Sequence, residues 1–438
     1  MTYDVIVIGG GPAGAAAATL TAQKGYKVLL LERLRFPRFK IGESLMPATY
    51  WTLQRMGMLE KLKASPFVPK HSVQFSSPTG RFSRPFYFSE TDPHESSVTW
   101  QVLRSEFDAM LLENAREHGV EVREEAPVKD VLFEGDRAVG VRVEIGGDGE
   151  ESAGSVRPGQ PADGAPRRKT GQTQDIFCKV VVDASGQSAL IARKLGLRRQ
   201  DPELKKAAIF THFQGAYRDP GIDEGATLVL HTEGANSWFW YIPLHGDRVS
   251  VGVVGGLDHL VTGRAPNPQQ VFDEEVAKCP PLPGRLEGAK QLFPVVTTRD
   301  FSYKSSRIAG DGWVLAGDAF GFLDPIYSSG VLLALKSGEL AADAVCDALA
   351  SGDLSAARLG AHGPRFLAGM EAMRKLVYAY YEQDFSFAKY LRRFPDQRIE
   401  LIHLLVGNVF REQANDLFET MGQMIRLPEE SYLEERSS

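Results

Sequence analysis

Cysteine is nearly absent from this 438-residue chain: Cys178, Cys279 and Cys346 stand alone, far apart in the sequence. That spacing excludes a disulfide framework and a thiolate metal site, and it suits a reducing cytoplasm. The nine histidines do not cluster, so no metal centre is expected. No stretch of about 18 apolar residues occurs, which argues against a membrane span. Lys and Arg number 50 against 56 Asp and Glu, a formal charge of −6, and there is no long basic run. Nucleic acid is therefore not an expected partner. The first residues are apolar but lack a charged leader and run at once into glycines, so they read as a strand rather than a targeting signal. Tryptophan is also scarce. Of five in the chain, two fall within one short stretch, at Trp238 and Trp240.

What is present is ordinary globular material, 43 % hydrophobic and 24 % charged, in a length that suits two or three domains. The first motif is "YDVIVIGGGPAGAAAATLTAQKGYKVLLLER". A β-branched strand runs into Gly9-x-Gly11-x-x-Gly14, then a small-residue helix, then a second strand ending in Glu32. Gly9 permits a tight turn, Gly11 lets backbone N–H groups approach a pyrophosphate, and Gly14 lets helix and sheet pack closely. The helix N-terminus turns partial positive charge toward the phosphates. Glu32 is placed to accept from a ribose hydroxyl. A dinucleotide is expected here.

Two later segments narrow which one. "VVVDASGQSALIARKLG" and "GWVLAGDAFGFLDPIYSSGV" each carry a buried strand with an acid at its tip, Asp183 and Asp318. An acid there suits a polyol chain, and FAD has a ribityl chain where NAD has a second ribose. In this order, with Arg104 between them in "VLRSEFDAMLLENA", the segments resemble the FAD-dependent aromatic monooxygenase superfamily. The resemblance implies that Glu32 binds the adenosine ribose and that Arg104 and Asp318 contact the middle of FAD. The expected fold is α/β. A Rossmann-like, doubly wound FAD-binding domain comes in pieces, 1–70, 100–200 and 296–350. A second, mostly antiparallel substrate-side sheet uses 71–99 and 201–295, and residues 351–438 form a helical C-terminal region. The polar Gly/Pro/Ser-rich run between "AVGVRVEI" and "IFCKVVVDA" reads as a hairpin loop. Tyr378, Tyr381, Phe385 and Phe387 in the C-terminal region read as core, with some of them at a substrate entrance.

Three further stretches, "FPRFKIGESLMPATYWTL", "SWFWYIP" and "FLDPIYSSGV", together resemble the flavin-dependent halogenases. That family's Trp-x-Trp-x-Ile-Pro signature is matched by Trp238, Trp240, Ile242 and Pro243. A wall between flavin and organic substrate and simple core packing both account for the two tryptophans. The resemblance implies chloride or bromide as co-substrate, and a helix starting near Ser329, with Ser328 or Ser329 as N-cap, offers free N–H groups at Ser329 and Gly330. The same groups can hold the flavin pyrimidine oxygen, and the two uses are compatible. The halogen-delivering lysine of the family maps onto Lys70 in "ASPFVPKHSVQF"; neighbouring Lys61 and Lys63 read as surface charges. Tryptophan-type members carry a glutamate two residues after the proline of the third stretch, where this chain has Tyr327. That departure favours a phenol or pyrrole, free or tethered to a carrier protein, over tryptophan. No second dinucleotide motif is visible, so reduced FAD is expected from a separate flavin reductase. The competing readings are a hydroxylating aromatic monooxygenase and a flavin-dependent isoprenoid reductase.

Overall fold

The computed structural model describes residues 3–90, 92–145, 172–264, 266–299, 301–382, 385–411 and 416–429. Of the run expected to form the long hairpin loop, 146–171 lie outside them, and 172–175 belong to a strand instead. Four short strands, Tyr3–Ile8, Val28–Leu31, Glu121–Arg123 and Trp313–Leu315, lie parallel to the far half of the strand Gln172–Asp183 in one sheet. Tyr3–Ile8 and Val28–Leu31 are almost wholly buried, as strands covered on both faces must be. Gln172–Asp183 serves twice, because its first half turns antiparallel to Arg137–Ile145.

The helix Pro12–Ala22 is built from small residues because another helix lies across it. A Cβ at Gly338, on the helix Ser329–Ser351, would sit 2.3 Å from the Ala13 carbonyl oxygen. The expected doubly wound α/β core is what forms.

A second sheet runs in the order Lys290–Gln291, Lys206–Gln214, Arg248–Gly256, Ser237–Leu244, Thr227–His231, Ser72–Ser76, Phe86–Tyr87. All its pairings are antiparallel except Thr227–His231 with Ser72–Ser76. Every residue of Ser237–Leu244 is buried. The two-residue period of a strand divides them between two cores. Trp238, Trp240 and Ile242 join the large core shared with the first sheet, and Phe239 and Tyr241 join a smaller core under the helix Pro268–Ala277.

The C-terminal helices Gly363–Tyr381, Phe387–Arg393 and Arg398–Leu405 close over the junction of the two sheets. They are tied down by a hydrogen bond from Ala48 N–H to the Val406 carbonyl at 2.9 Å. No helix among the described residues is long and apolar enough to cross a membrane.

Trp240 stands opposite Gly252 in the ladder, and a Cβ at Gly252 would meet the indole at 2.2 Å and Phe210 Cβ at 2.6 Å. Gly252→Ala should therefore displace Trp240 and cost about 1–3 kcal/mol, as overpacking does in tight cores. The check is a urea denaturation midpoint; a parental midpoint would show that the ring does not depend on that glycine.

Candidate active site

The glycine-rich turn can be tested residue by residue. Gly9 has φ +102°, and a Cβ there would meet the Ala184 carbonyl oxygen at 2.4 Å; one on Gly14 would meet the Gly9 oxygen at 1.9 Å. These two glycines are demanded by the protein itself. Gly11 is different, since the nearest atom to its would-be Cβ is Arg38 Nη2 at 3.8 Å. Its smallness serves something outside the chain, as a pyrophosphate cradle requires.

The Glu32 carboxylate accepts from Gly10 N–H at 2.7 Å and Leu34 N–H at 3.0 Å, with lone pairs left for a ribose hydroxyl. Burial raises the pKa of the Asp318 carboxyl, against the lowering pull of Lys40 and Arg104. Asp318 keeps some accessible surface deep among protein atoms, as a group on a cleft floor does. Arg104 is buried and committed to the chain: Nε and Nη2 donate to Asp108 at 2.8 and 3.0 Å, and Nη1 donates to the Ile41 carbonyl at 2.7 Å. Its first duty is to brace the segment that leads into Glu43 and Ser44. These residues fit FAD. The Gly9–Gly14 backbone and the Pro12–Ala22 helix start would hold the pyrophosphate, Glu32 the adenosine ribose, and Asp318 the ribityl chain. Bound and reduced, FAD supplies with oxygen the oxidising equivalent for halide.

Lys70 ends the short strand Val68–Lys70 and is 3 % exposed. Its Nζ donates to Ser44 Oγ at 2.8 Å and to the Leu45 carbonyl at 3.0 Å, and lies 5.4 Å above the Phe88 ring. Burial, uncompensated by any carboxylate, pushes its pKa down to about 7. Ser44 is held in turn, with its Oγ 2.9 Å from Thr227 Oγ1, which accepts from Gln101 Nε2 at 2.8 Å. Lys70 lines a cavity of ≈ 20 Å³, room for a water-sized molecule rather than an aromatic ring. Phe75, Phe88, Ile326, Tyr327, Ser328 and Leu405 contribute to its wall. Lys61 and Lys63, by contrast, sit half-exposed against Glu117 and Glu60.

Ser328 holds the N-cap position of Ser329–Ser351 but caps nothing with its side chain, which corrects the expectation of a serine cap. Its φ of 56° and ψ of 25° are left-handed, whereas a capping side chain needs an extended backbone to reach the first-turn N–H groups. Those N–H groups at Ser329 and Gly330 have no intrahelical acceptor. The space a side chain on Gly330 would fill is taken by Phe322, 3.1 Å from the would-be Cβ. A side chain there would need that ring to give by a few tenths of an ångström.

The chain matches the FAD binding domain family over residues 2–337. It is 32 % identical to a 1H-pyrrole-2-carbonyl peptidyl-carrier-protein brominase of Pseudoalteromonas luteoviolacea, covering 93 % of both chains. It is 29 % identical to the corresponding chlorinase of Pseudomonas fluorescens, over 97 % of this chain and 93 % of that one. The solved structure of a flavin-dependent brominase superposes with a TM-score of 0.80 at 31 % identity, covering 97 % of this chain and 98 % of that one.

The chain belongs to the flavin-dependent halogenases. The structure of a myxobacterial chondrochloren halogenase is similar as well, with TM-score 0.76 and 28 % identity over 96 % of each chain.

Several groups of this halogenase's site were not singled out by sequence reasoning. Ser44 accepts from Lys70, Thr227 holds Ser44 and Gln101 holds Thr227, from three separate segments. Asp324, 1 % exposed, has its pKa raised to about 6 by burial and accepts from Ile326 N–H at 2.9 Å. The only hint of it was its place in "FLDPIYSSGV". Glu43 and His212, almost fully buried, approach to 2.8 Å where the same segment meets the second sheet.

Two outcomes follow. Gly11→Val should fold normally yet lose FAD, read as flavin retained after gel filtration; retained flavin would move the cradle elsewhere. For Lys70, the unfolded side chain titrates near 10.4. Between pH 7 and about 10 the unfolded chain thus binds a proton that the folded chain refuses, and stability climbs with pH across that window. At pH 7 and below the cost of the buried charge is fully present. Lys70→Met should be about 1–4 kcal/mol more stable at pH 6, with the advantage fading by pH 10. A pH-independent difference between the two proteins in denaturant melts would refute the depressed amine.

Proposed function

We propose that this halogenase uses Lys70 to carry oxidised bromide or chloride onto a pyrrole tethered to a carrier protein. The observation that carries the reading is the sealed amine of Lys70, half-neutral near pH 7 and facing a chamber too small for an aromatic ring. A neutral amine takes up hypohalous acid as a haloamine with loss of water, or holds it by hydrogen bonds. The halogen then passes to a ring carbon, the ring proton is lost, and the amine is restored. The helix start at Ser329 and Gly330 is the proposed halide site, one residue beyond the Tyr327–Ser328 stretch of the chamber wall. The carrier-bound pyrrole is supported by the two relatives named for that substrate. Tyr327 supports it too: its hydroxyl donates to the Leu376 carbonyl at 3.2 Å, and burial holds its pKa well above the ordinary phenol value. It therefore offers no carboxylate to activate a less reactive ring. Reduced FAD is proposed to come from a separate flavin reductase.

The test supplies reduced FAD through a reductase, with oxygen and bromide, to pyrrolyl-carrier protein, free pyrrole-2-carboxylate, a phenol panel and tryptophan, followed by mass spectrometry. The expected product is brominated pyrrole on the carrier, with little or none on tryptophan. Lys70→Ala should consume oxygen at the parental rate while bromination falls roughly 100-fold or more, the scale of removing a group that handles the reacting atoms. Efficient tryptophan bromination would refute the substrate assignment. Hydroxylation without halide would leave the monooxygenase reading standing.

A further inference from the structure

The tryptophan strand, the C-terminal helix and the chamber wall meet in one buried chain of hydrogen bonds. Trp238 Nε1–H donates to Tyr381 Oη at 3.0 Å. Tyr381 O–H then donates to the Asp324 carboxylate, 3.1 Å from Oδ2 and 3.3 Å from Oδ1. Asp324 Oδ1 accepts from Ile326 N–H, closing the turn whose next residues, Ile326 to Ser328, face Lys70's chamber. The polarity of the chain is fixed throughout. An indole only donates, a carboxylate only accepts, and a phenol between them must do both. Lys206 Nζ lies 3.7 Å over the Tyr381 ring and adds positive charge beside the carboxylate.

The helix end that carries Tyr381 is itself latched. The neighbouring Tyr380 hydroxyl is 3.0 Å from His231 Nε2, and His231 Nδ1 is 2.7 Å from the Ser76 carbonyl. That carbonyl only accepts, so Nδ1 carries the proton and Nε2 receives the Tyr380 hydroxyl. Burial lowers the His231 pKa, which keeps the ring in this neutral form. The end of Gly363–Tyr381 is thus pinned to two adjacent strands of the second sheet, and the phenol of Tyr381 can pass that rigidity on.

We infer that Tyr381 is a positioning residue: pinned by Trp238, it holds the Asp324–Ser328 turn in the shape that walls Lys70's chamber. The first tryptophan of the signature strand then acts as a donor that fixes a helix from outside the flavin domain, with no part in the chemistry. The consequence for turnover rests on the delivery role proposed for Lys70, so the experiment has one arm that does not.

In that arm, hydrogen–deuterium exchange is followed in the FAD-free protein over the peptide 324–332. Tyr381→Phe should speed exchange there about tenfold, the size of losing one charge-assisted hydrogen bond, and leave the strand Gln172–Asp183 unchanged. Trp238→Phe should act in the same direction, and the double variant should be no worse than Tyr381→Phe alone, because both break one chain. In the other arm, the holoenzyme is scored for brominated product per oxygen consumed. Tyr381→Phe should lower that ratio with FAD affinity and oxygen consumption at parental values. Parental exchange across 324–332 in both single variants would overturn the inference, whatever the ratio. Additive effects in the double variant would overturn the shared chain. If Lys70→Ala keeps full bromination, the delivery reading falls, while the exchange arm still decides for or against Tyr381.

Discussion

One buried amine organises this molecule. Taking an ammonium out of water costs several kcal/mol, and proteins ordinarily repay that with a carboxylate. Among the described residues, Lys70 receives only a hydroxyl, a carbonyl and the face of Phe88. Its depressed pKa is therefore the direct product of what surrounds it. To keep such a group folded inward, each neighbour has to be fixed by something else. Ser44 leans on Thr227, Thr227 on Gln101, and Gln101 also donates to the Gly225 carbonyl at 2.9 Å. The chain spends three strands and one loop on orienting a single nitrogen.

The loop is the segment from Phe39 to Met46, and it is where the two halves of the molecule communicate. On one side Arg104, itself clamped by Asp108, grips the Ile41 and Gly42 carbonyls next to the cleft that fits FAD. On the other, Glu43 meets His212 on the second sheet, and Ser44 and Leu45 hold Lys70. The C-terminal helices complete the enclosure. Leu405 contributes to the chamber wall, while Phe88, Ile402 and Val406 form a small cluster apart from the main core. A three-residue cluster has less buried area to lose on opening than the continuous core beneath it.

Much of this was legible in the chain. The glycine-rich turn could be read because strand, turn and helix are consecutive, so the chemistry of Gly9, Gly11, Gly14 and Glu32 is local. Val180–Val182 and Ser237–Leu244 could be read as buried strand from their apolar runs, whereas the polar, largely exposed first half of Gln172–Asp183 could not. The groups that orient Lys70 could not: Ser44 lies 26 positions away and is held by Thr227, 183 positions further on, and nothing in a serine, a glutamine or a threonine announces a distant contact. Tyr381 read as core, and its ring is largely that, but its hydroxyl reaches a carboxylate 57 residues earlier. The serine cap expected at Ser328 failed for a related reason. A left-handed backbone at a non-glycine residue is set by the turn before it, which no propensity reports.

Tyr327 connects the electrostatics to the kind of ring this site suits. A carboxylate at that position would stand on the wall of Lys70's chamber and, at contact distance in a buried site, would restore the positive charge that burial now discourages. The amine would then be a permanent cation, suited to hydrogen-bonding an oxidised halogen and paired with a base for the ring. With a phenol there instead, bonded to a backbone carbonyl and held neutral, the amine stays poised near neutrality and no base is provided. The nearby carboxylate of Asp324 is already committed to Tyr381 and Ile326 N–H. Electron density for attack must consequently come from the substrate. A pyrrole nitrogen or a phenol oxygen supplies it through the ring, whereas the benzo ring of an indole is less activated. On the proposed reading, a tyrosine in place of a glutamate leaves the charge state of the lysine to burial and the activation of the ring to the substrate.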